Sequence, residues 1–290
     1  MGKDLYENSE AARQVFDEAD KALRFSLSRL CFQGPFEELT RTENCQPAVL
    51  AASIAVFAAL KALYPDLKPS YTAGLSLGEY SALVCAGIVG FPEAVHLVRK
   101  RGEFMEAAAR KNPGKMSCVL GLEPQAVAAI CSDTQCEVAN LNCPGQVVIS
   151  GSSPSLEKAG VQAMEKGAKR VITLDVSGAF HSSFMNEASL RLRSEIEKVK
   201  FNPPQCPLIS NVDAKEQVDP DIIKNNLIKQ VNSATYWEAS MRHLLQKGVE
   251  VFLEIGPGTV LKGLFKKIDP SRKVVSIGNW AQVREAREAL

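Results

Sequence analysis

The stretch with the plainest chemical potential is Thr72-Ala-Gly-Leu-Ser-Leu-Gly-Glu-Tyr-Ser81. Within it, Gly74-Leu75-Ser76-Leu77-Gly78 has the form Gly-x-Ser-x-Gly, preceded by a short apolar run and followed by a helical run from Glu79 to Ala86. In strand–turn–helix context this pattern is a nucleophile elbow, which exposes the serine hydroxyl at the carboxyl end of a strand. The turn is expected to be tight enough that side chains two residues to either side of Ser76 collide, which accounts for glycine at both 74 and 78. The Leu77 amide and the start of the next helix then face the reacting centre. The same five residues also fit an ordinary glycine-flanked helix cap at Ser76.

A serine hydroxyl is a weak nucleophile without an adjacent base. The chain has only three histidines. His96 and His243 fall in the middle of helical stretches, where a histidine is ordinarily a surface or core-edge residue. His181 falls in Val176-Ser-Gly-Ala-Phe-His-Ser-Ser-Phe-Met185, a strand-to-helix junction of the kind on which α/β folds build sites. His181 is the expected base. The group that orients it stays open: Asp175 and Asp213 are available acids, and a carbonyl can do the same work. Arg101, in Arg99-Lys-Arg-Gly102, fits either a solvated basic face or a clamp for a substrate carboxylate.

These residues need a scaffold. The 290 residues, 46% hydrophobic and 23% charged, are those of a soluble globular chain of one large or two smaller domains. A formal net charge of +1 gives no global field to recruit nucleic acid or a membrane surface, so neither is expected as a partner. Eight scattered cysteines without a Cys-x-x-Cys pair read as reduced thiols, with no metal site. The apolar run 47–63 is interrupted by Ser53 and Lys61 and reads as a core helix. No signal-peptide h-region precedes it, and Lys3 and Asp4 argue against myristoylation at Gly2. The expected location is cytoplasmic.

Helical spacing marks 9–23, 46–63, 91–109, 182–199, 222–231, 236–246 and 260–268, with a Gly/Pro-interrupted region at 25–40. Strands are expected before the elbow and at 208–212, 249–255 and 274–277; none is evident in 1–70. This alternation argues for α/β with a parallel sheet. Between them, 116–177 reads as strand, helix, strand, strand, helix, strand, the split βαβ order of a ferredoxin-like unit. The expected organisation is a discontinuous large domain, 1–113 and 178–290, with a small domain at 114–177 inserted. The bland alternative is that these strands extend the main sheet.

Five segments carry a family likeness: 74–87 (Gly-Leu-Ser-Leu-Gly-Glu-Tyr-Ser-Ala-Leu-Val-Cys-Ala-Gly), Arg101-Gly-Glu-Phe-Met105, Asn142-Cys-Pro-Gly-Gln-Val-Val-Ile149, Gly178-Ala-Phe-His-Ser182 and Glu254-Ile-Gly-Pro-Gly258. Together and in this order they resemble the bacterial malonyl-CoA:acyl carrier protein transacylases of type II fatty acid synthesis, over nearly the whole chain. The resemblance implies an α/β-hydrolase-like large domain with a ferredoxin-like insert. It implies Ser76 as the acylated nucleophile, His181 as base, the Gln230 main-chain carbonyl as its orienter and the Leu77 N–H as an oxyanion donor. It also implies Arg101 as the malonyl carboxylate clamp and Phe180 as a bulky residue that excludes a methyl branch. The substrates would be malonyl-CoA and the phosphopantetheine thiol of acyl carrier protein, with no cofactor or metal and a monomeric enzyme. A serine thioesterase or esterase, or an impaired carrier-protein-binding remnant, is the alternative.

Two departures stand out. Leu75 occupies the position where that family usually has histidine, which is expected to tune the site and not abolish it. Family members also open on a strand and a Gly-Gln-Gly turn whose glutamine gives a second oxyanion N–H; Met1-Gly2-Lys3 has no such turn. A single oxyanion donor is then the expectation, a loss of about 10²–10³ in kcat. The surface that meets the acidic carrier protein is not evident; Lys262, Lys266 and Lys267 are candidates beside a solvated-face reading.

Overall fold

The computed structural model describes residues 1–288. Its N-terminal third is helical because its apolar residues recur at helical spacing. Glu10–Leu23 buries Ala12, Val15, Phe16 and Ala19 on one face, and the Ser9 side chain caps it by accepting the Ala12 N–H. The interrupted region resolves into the short helices Leu27–Gln33 and Phe36–Thr40. Thr42–Leu63 is apolar nearly all round, as a largely enclosed helix must be, and buries Leu50, Ile54, Val56 and Leu60. It is long and apolar enough to cross a membrane, yet two thirds of its most apolar window (67%) is packed inside the protein. It starts four residues earlier than the periodicity indicates and contains Pro47. Proline cannot bond back to the carbonyl four residues earlier; that carbonyl, of Glu43, instead accepts Arg99 Nη1 at 2.8 Å.

The helix Phe91–Lys111 runs against Thr42–Leu63, and Gly102 sets their separation. A Cβ there would lie 2.6 Å from the Glu43 Cα. This close approach carries Arg101, the residue before it, up to Gln46 on the neighbouring helix.

Nine strands are present among the described residues: β1 Thr72–Ala73, β2 Lys115–Leu120, β3 Glu137–Cys143, β4 Gln146–Gly151, β5 Arg170–Thr173, β6 Leu208–Ile209, β7 Glu216–Gln217, β8 Val251–Ile255 and β9 Lys273–Ile277. The expected parallel sheet is corrected in detail. β1 and β6 pair in parallel, β7 adds antiparallel to β6, and β8 and β9 form a separate parallel pair. β6 stops at Ile209 because the chain turns at once, with Ala214 N–H donating to the Ser210 carbonyl at 3.0 Å. β7 is two polar residues long and has no alternation to betray it.

The remaining strands lie in the order β3-β4-β2-β5, every neighbour antiparallel. Helices Pro124–Thr134 and Ser153–Glu165 cover one face, where Val119, Ile130, Ile149 and Leu156 form an apolar cluster. Met116, Cys118, Ala139 and Val148 alternate with them onto the other face, against which Phe180 packs. All eight cysteines are free thiols. Burial raises Cys31, Cys85 and Cys131 to about 12.

Candidate active site

β1 delivers the chain to Ser76, and the helix Gly78–Cys85 takes it away. Ser76 has φ 51°, a left-handed conformation that a side chain adopts at a cost of about 1–3 kcal/mol. Gly74 makes the turn possible. A Cβ at Gly74 would sit 2.0 Å from the carbonyl carbon and oxygen of Gly78. The expectation of a matching constraint at Gly78 is corrected: a Cβ there meets nothing within 4 Å.

Two side chains hold the peptide groups that flank the serine. Asn211 Oδ1 accepts the Ser76 N–H at 2.6 Å, while its Nδ2 donates to the Gly74 carbonyl at 2.6 Å. Gln230 Nε2 donates to the Ser76 carbonyl at 2.8 Å. The N–H groups of Gly78, Glu79 and Tyr80 close the turn on the carbonyls of Leu75, Ser76 and Leu77. Among the described residues, the Leu77 amide makes no such bond.

His181 meets Ser76 from across the chain, Nε2 to Oγ at 2.8 Å. Its Nδ1–H donates to the main-chain carbonyl of Gln230 at 2.9 Å, which leaves the Nε2 lone pair facing the serine hydroxyl. The open question of the orienting group is therefore answered by a carbonyl. Asp175 is exposed, and Asp213 is engaged by the Lys215 N–H, Gln217 and Asn226. His181 is 5% exposed. Burial, and then the charge of Arg101, lower its pKa to about 4, so the imidazole is neutral at neutral pH. Of the other histidines, His96 is exposed and His243 pairs with Glu216 at 2.9 Å.

Arg101 is 1% exposed, which excludes the solvated-face reading. Its Nη2 donates to Ser76 Oγ at 2.9 Å and to Gln230 Oε1 at 3.1 Å, and its Nη1 to Gln46 Oε1 at 2.5 Å. All three partners are neutral, and Nε is buried with no partner. A guanidinium taken out of water in this way has no carboxylate among its hydrogen-bond partners; the centroid of the Tyr80 ring lies 5.6 Å from it and the charge of Glu79 favours its own. Burial lowers its pKa.

Leu75 packs against the apolar cluster around Trp237 and Phe265, and Phe180 lies half-buried beside His181. Lys262 and Lys266 lie on the helix Val260–Ile268, and Lys267 Nζ donates to Gln146 Oε1 at 3.1 Å. Gln46, Asn211 and the side chain of Gln230 carried no sequence pattern that points to this site.

The hydroxyl thus sits between a neutral imidazole that can take its proton and a cation that favours the alkoxide, an arrangement suited to acyl transfer through an acyl-serine. Comparison with known proteins agrees. An acyl transferase domain profile matches residues 1–283. The malonyl CoA-acyl carrier protein transacylase of Bacillus subtilis (strain 168) is 44% identical over 295 residues, covering 100% of this chain and 92% of the relative. That of Staphylococcus aureus (strain MRSA252) is 40% identical over 289 residues, covering 98% and 92%. Among solved structures, an acyl carrier protein S-malonyltransferase from Vibrio cholerae superposes with TM-score 0.95 at 40% identity, covering 99% of this chain and 94% of that one. A malonyl-transacylase in complex with a type II PKS acyl-carrier protein superposes with TM-score 0.94 at 36% identity, covering 99% and 94%. The chain belongs to the malonyl CoA-acyl carrier protein transacylase family of acyl transferases.

Proposed function

We propose that this chain moves a malonyl group from malonyl-CoA to the phosphopantetheine thiol of acyl carrier protein, through a malonyl ester on Ser76. The observation that carries the substrate is Arg101. A buried guanidinium 2.9 Å from the nucleophile, bonded only to neutral groups, gains a bidentate partner when an acyl chain ending in a carboxylate is bound.

The transfer runs in two halves. His181 Nε2 takes the Ser76 proton as Oγ attacks the thioester carbonyl, and the Leu77 N–H supports the oxyanion. The C–S bond breaks, CoA leaves as the thiol with the proton from His181, and malonyl-Ser76 remains. The carrier protein's thiol then gives its proton to His181 and attacks the ester. Ser76 recovers the proton as its C–O bond breaks. Phe180 and Leu75 shape the approach to the acyl group. The chain is read as a monomer of the cytoplasm needing no resident cofactor. Residues 1–113 and 178–290 form the acyl transferase domain, with 114–177 as its small domain.

Intact-mass measurement after exposure to malonyl-CoA tests this reading. The expected result is a gain of one malonyl group, mapped to Ser76 and discharged by holo acyl carrier protein. Rapid loss of the adduct to water without carrier protein would instead mark a thioesterase.

A further inference from the structure

Glu79 is a buried carboxylate to which the reaction above gives no part. It stands on the first turn of the helix after the elbow, three residues beyond Ser76, and is 1% exposed. An ionised side chain so enclosed must be compensated. Its two oxygens accept from two donors: Oε2 from Gln230 Nε2 at 2.6 Å, and Oε1 from the Asn211 N–H at 3.4 Å. These donors belong to the two residues whose side chains clamp the peptide groups of Ser76, Asn211 on the N–H and Gln230 on the carbonyl. Gln230 also orients His181 through its main-chain carbonyl and contacts Arg101 through Oε1.

We propose that Glu79 is a positioning residue of the acyl transfer: its carboxylate joins the Asn211 and Gln230 clamps into one unit that holds Ser76 in its left-handed conformation, in line with His181 and Arg101. This rests on the reading of Ser76 as the acylated nucleophile.

The requirement is for a carboxylate. Both partners of Glu79 are donors, so only a group that accepts at both ends satisfies them. In Glu79→Gln the volume is kept, yet either orientation of the new amide turns an N–H₂ toward a donor and releases one clamp. Release lets Ser76 relax from a backbone well that is unfavourable to it, and sub-ångström loss of alignment at a reacting atom is costly in rate. Burial raises the Glu79 pKa to about 7, which agrees with a carboxylate held for a purpose other than stability.

Single-turnover acylation by malonyl-CoA, read as malonyl-Ser76 by intact mass, is the test. For Glu79→Gln the expected result is complete final acylation, an acylation rate about 10–100-fold below the parent, and a half-saturating malonyl-CoA concentration within about two-fold of it. A rate within two-fold of the parent, per acylated site, would overturn the proposal. Should Glu79→Gln give no folded protein, Glu79→Asp carries the same test. Its carboxylate is retained but one methylene short, and the expected loss is about 3–10-fold at full final extent; an unchanged rate overturns the proposal equally. A fluorophosphonate, which needs only an activated serine, is run in parallel. If it labels Ser76 in the parent while malonyl-CoA does not, the malonyl reading has failed; if both label parent and variant at equal rates, the role of Glu79 has failed.

Discussion

Ser76 and His181, 105 residues apart in the chain, both stand in left-handed backbone conformations, φ 51° and 58°, where Oγ and Nε2 meet at 2.8 Å. Each is braced. The Ser150 hydroxyl donates to the Phe180 carbonyl and the Ser182 hydroxyl to the Ala179 carbonyl, both at 2.6 Å, so the loop presenting His181 is pinned on either side. On the proposed reading the imidazole supplies a base and not merely contact. His181→Ala is expected to slow acylation of Ser76 by about 10²–10⁴-fold while leaving the thermal midpoint within a few degrees of the parent. Stopped acylation assays and thermal unfolding measure the two, and an acylation rate close to that of the parent would remove His181 from its role.

The two glycines of the elbow are unequal. Gly74→Ala forces a Cβ to within 2.0 Å of the Gly78 backbone, which cannot move away because it starts a helix. Overpacking against backbone is expected to cost about 3 kcal/mol or more, seen as little soluble protein or a midpoint lowered by about 10 °C. Gly78→Ala enters open space in a helical turn and is expected to stay within about 1 kcal/mol of the parent. Equal stability of the two variants would contradict this steric account.

Burial raises Cys31, Cys85 and Cys131 to about 12, so at pH 8 each is ionised only to about one part in 10⁴. Iodoacetamide at pH 8 is expected to leave at least about 80% of the acylation rate. Rapid inactivation with one labelled cysteine would place a thiol at the site.

The two titrating groups under Ser76 pull in opposite directions with pH. His181 binds a proton less readily folded, at about 4, than unfolded, at 6.5, so its contribution to stability is present above 6.5 and is lost as pH falls toward 4. Glu79 binds a proton more readily folded, at about 7, than unfolded, at 4.5. Its contribution is present below 4.5 and is lost as pH rises through 7. Arg101, on the helix Phe91–Lys111, favours its charge, and Asp213, after β6, opposes it. Protonation of Glu79 removes its charge and weakens one of its two oxygens as an acceptor for Asn211 and Gln230. Acylation by the parent is therefore expected to fall as pH drops through about 7, approaching the Glu79→Gln rate near pH 5.5, while the variant stays flat until about 4. A pH–rate series on both proteins checks this, and a limb near 7 that persists in Glu79→Gln would assign it to another group.

What could be read from the chain, and what could not, follows from the kind of force involved. Ser76 is visible because glycine spacing records a steric demand of the turn, and His181 because histidines are few. The helices are visible because burial imposes a period of 3.6. β6 and β7 are two residues each, too short to alternate, so the broken form of the large sheet leaves no periodic trace. Arg101 is ambiguous by spacing, since a basic helix surface and a buried clamp have the same pattern; Gly102, which draws two helices together, is what buries it. Asn211 and Glu79 act through hydrogen bonds between residues 132 to 151 positions apart, and such pairings have no local signature.

On the proposed reading, Arg101 decides which acyl group is accepted. Without an incoming carboxylate its guanidinium hydrogen-bonds Gln46, Gln230 and Ser76, all neutral, lies over the Tyr80 ring, and keeps Nε unpaired. A malonyl chain supplies the missing anion, whereas an acetyl chain leaves the charge as it was. A charge-assisted pair of this kind contributes about 1.5–3 kcal/mol, which is about a 10–100-fold preference. Arg101→Ala removes the cation and is expected to collapse the preference for malonyl-CoA over acetyl-CoA by that factor, chiefly by slowing malonyl acylation. Arg101→Lys keeps a charge but cannot hold Gln46, Gln230 and a carboxylate with one compact ammonium, so an intermediate preference is expected. Competing malonyl-CoA and acetyl-CoA for Ser76, with both adducts read in one mass spectrum, measures the ratio directly. A ratio that survives in Arg101→Ala would move the carboxylate site elsewhere in the protein.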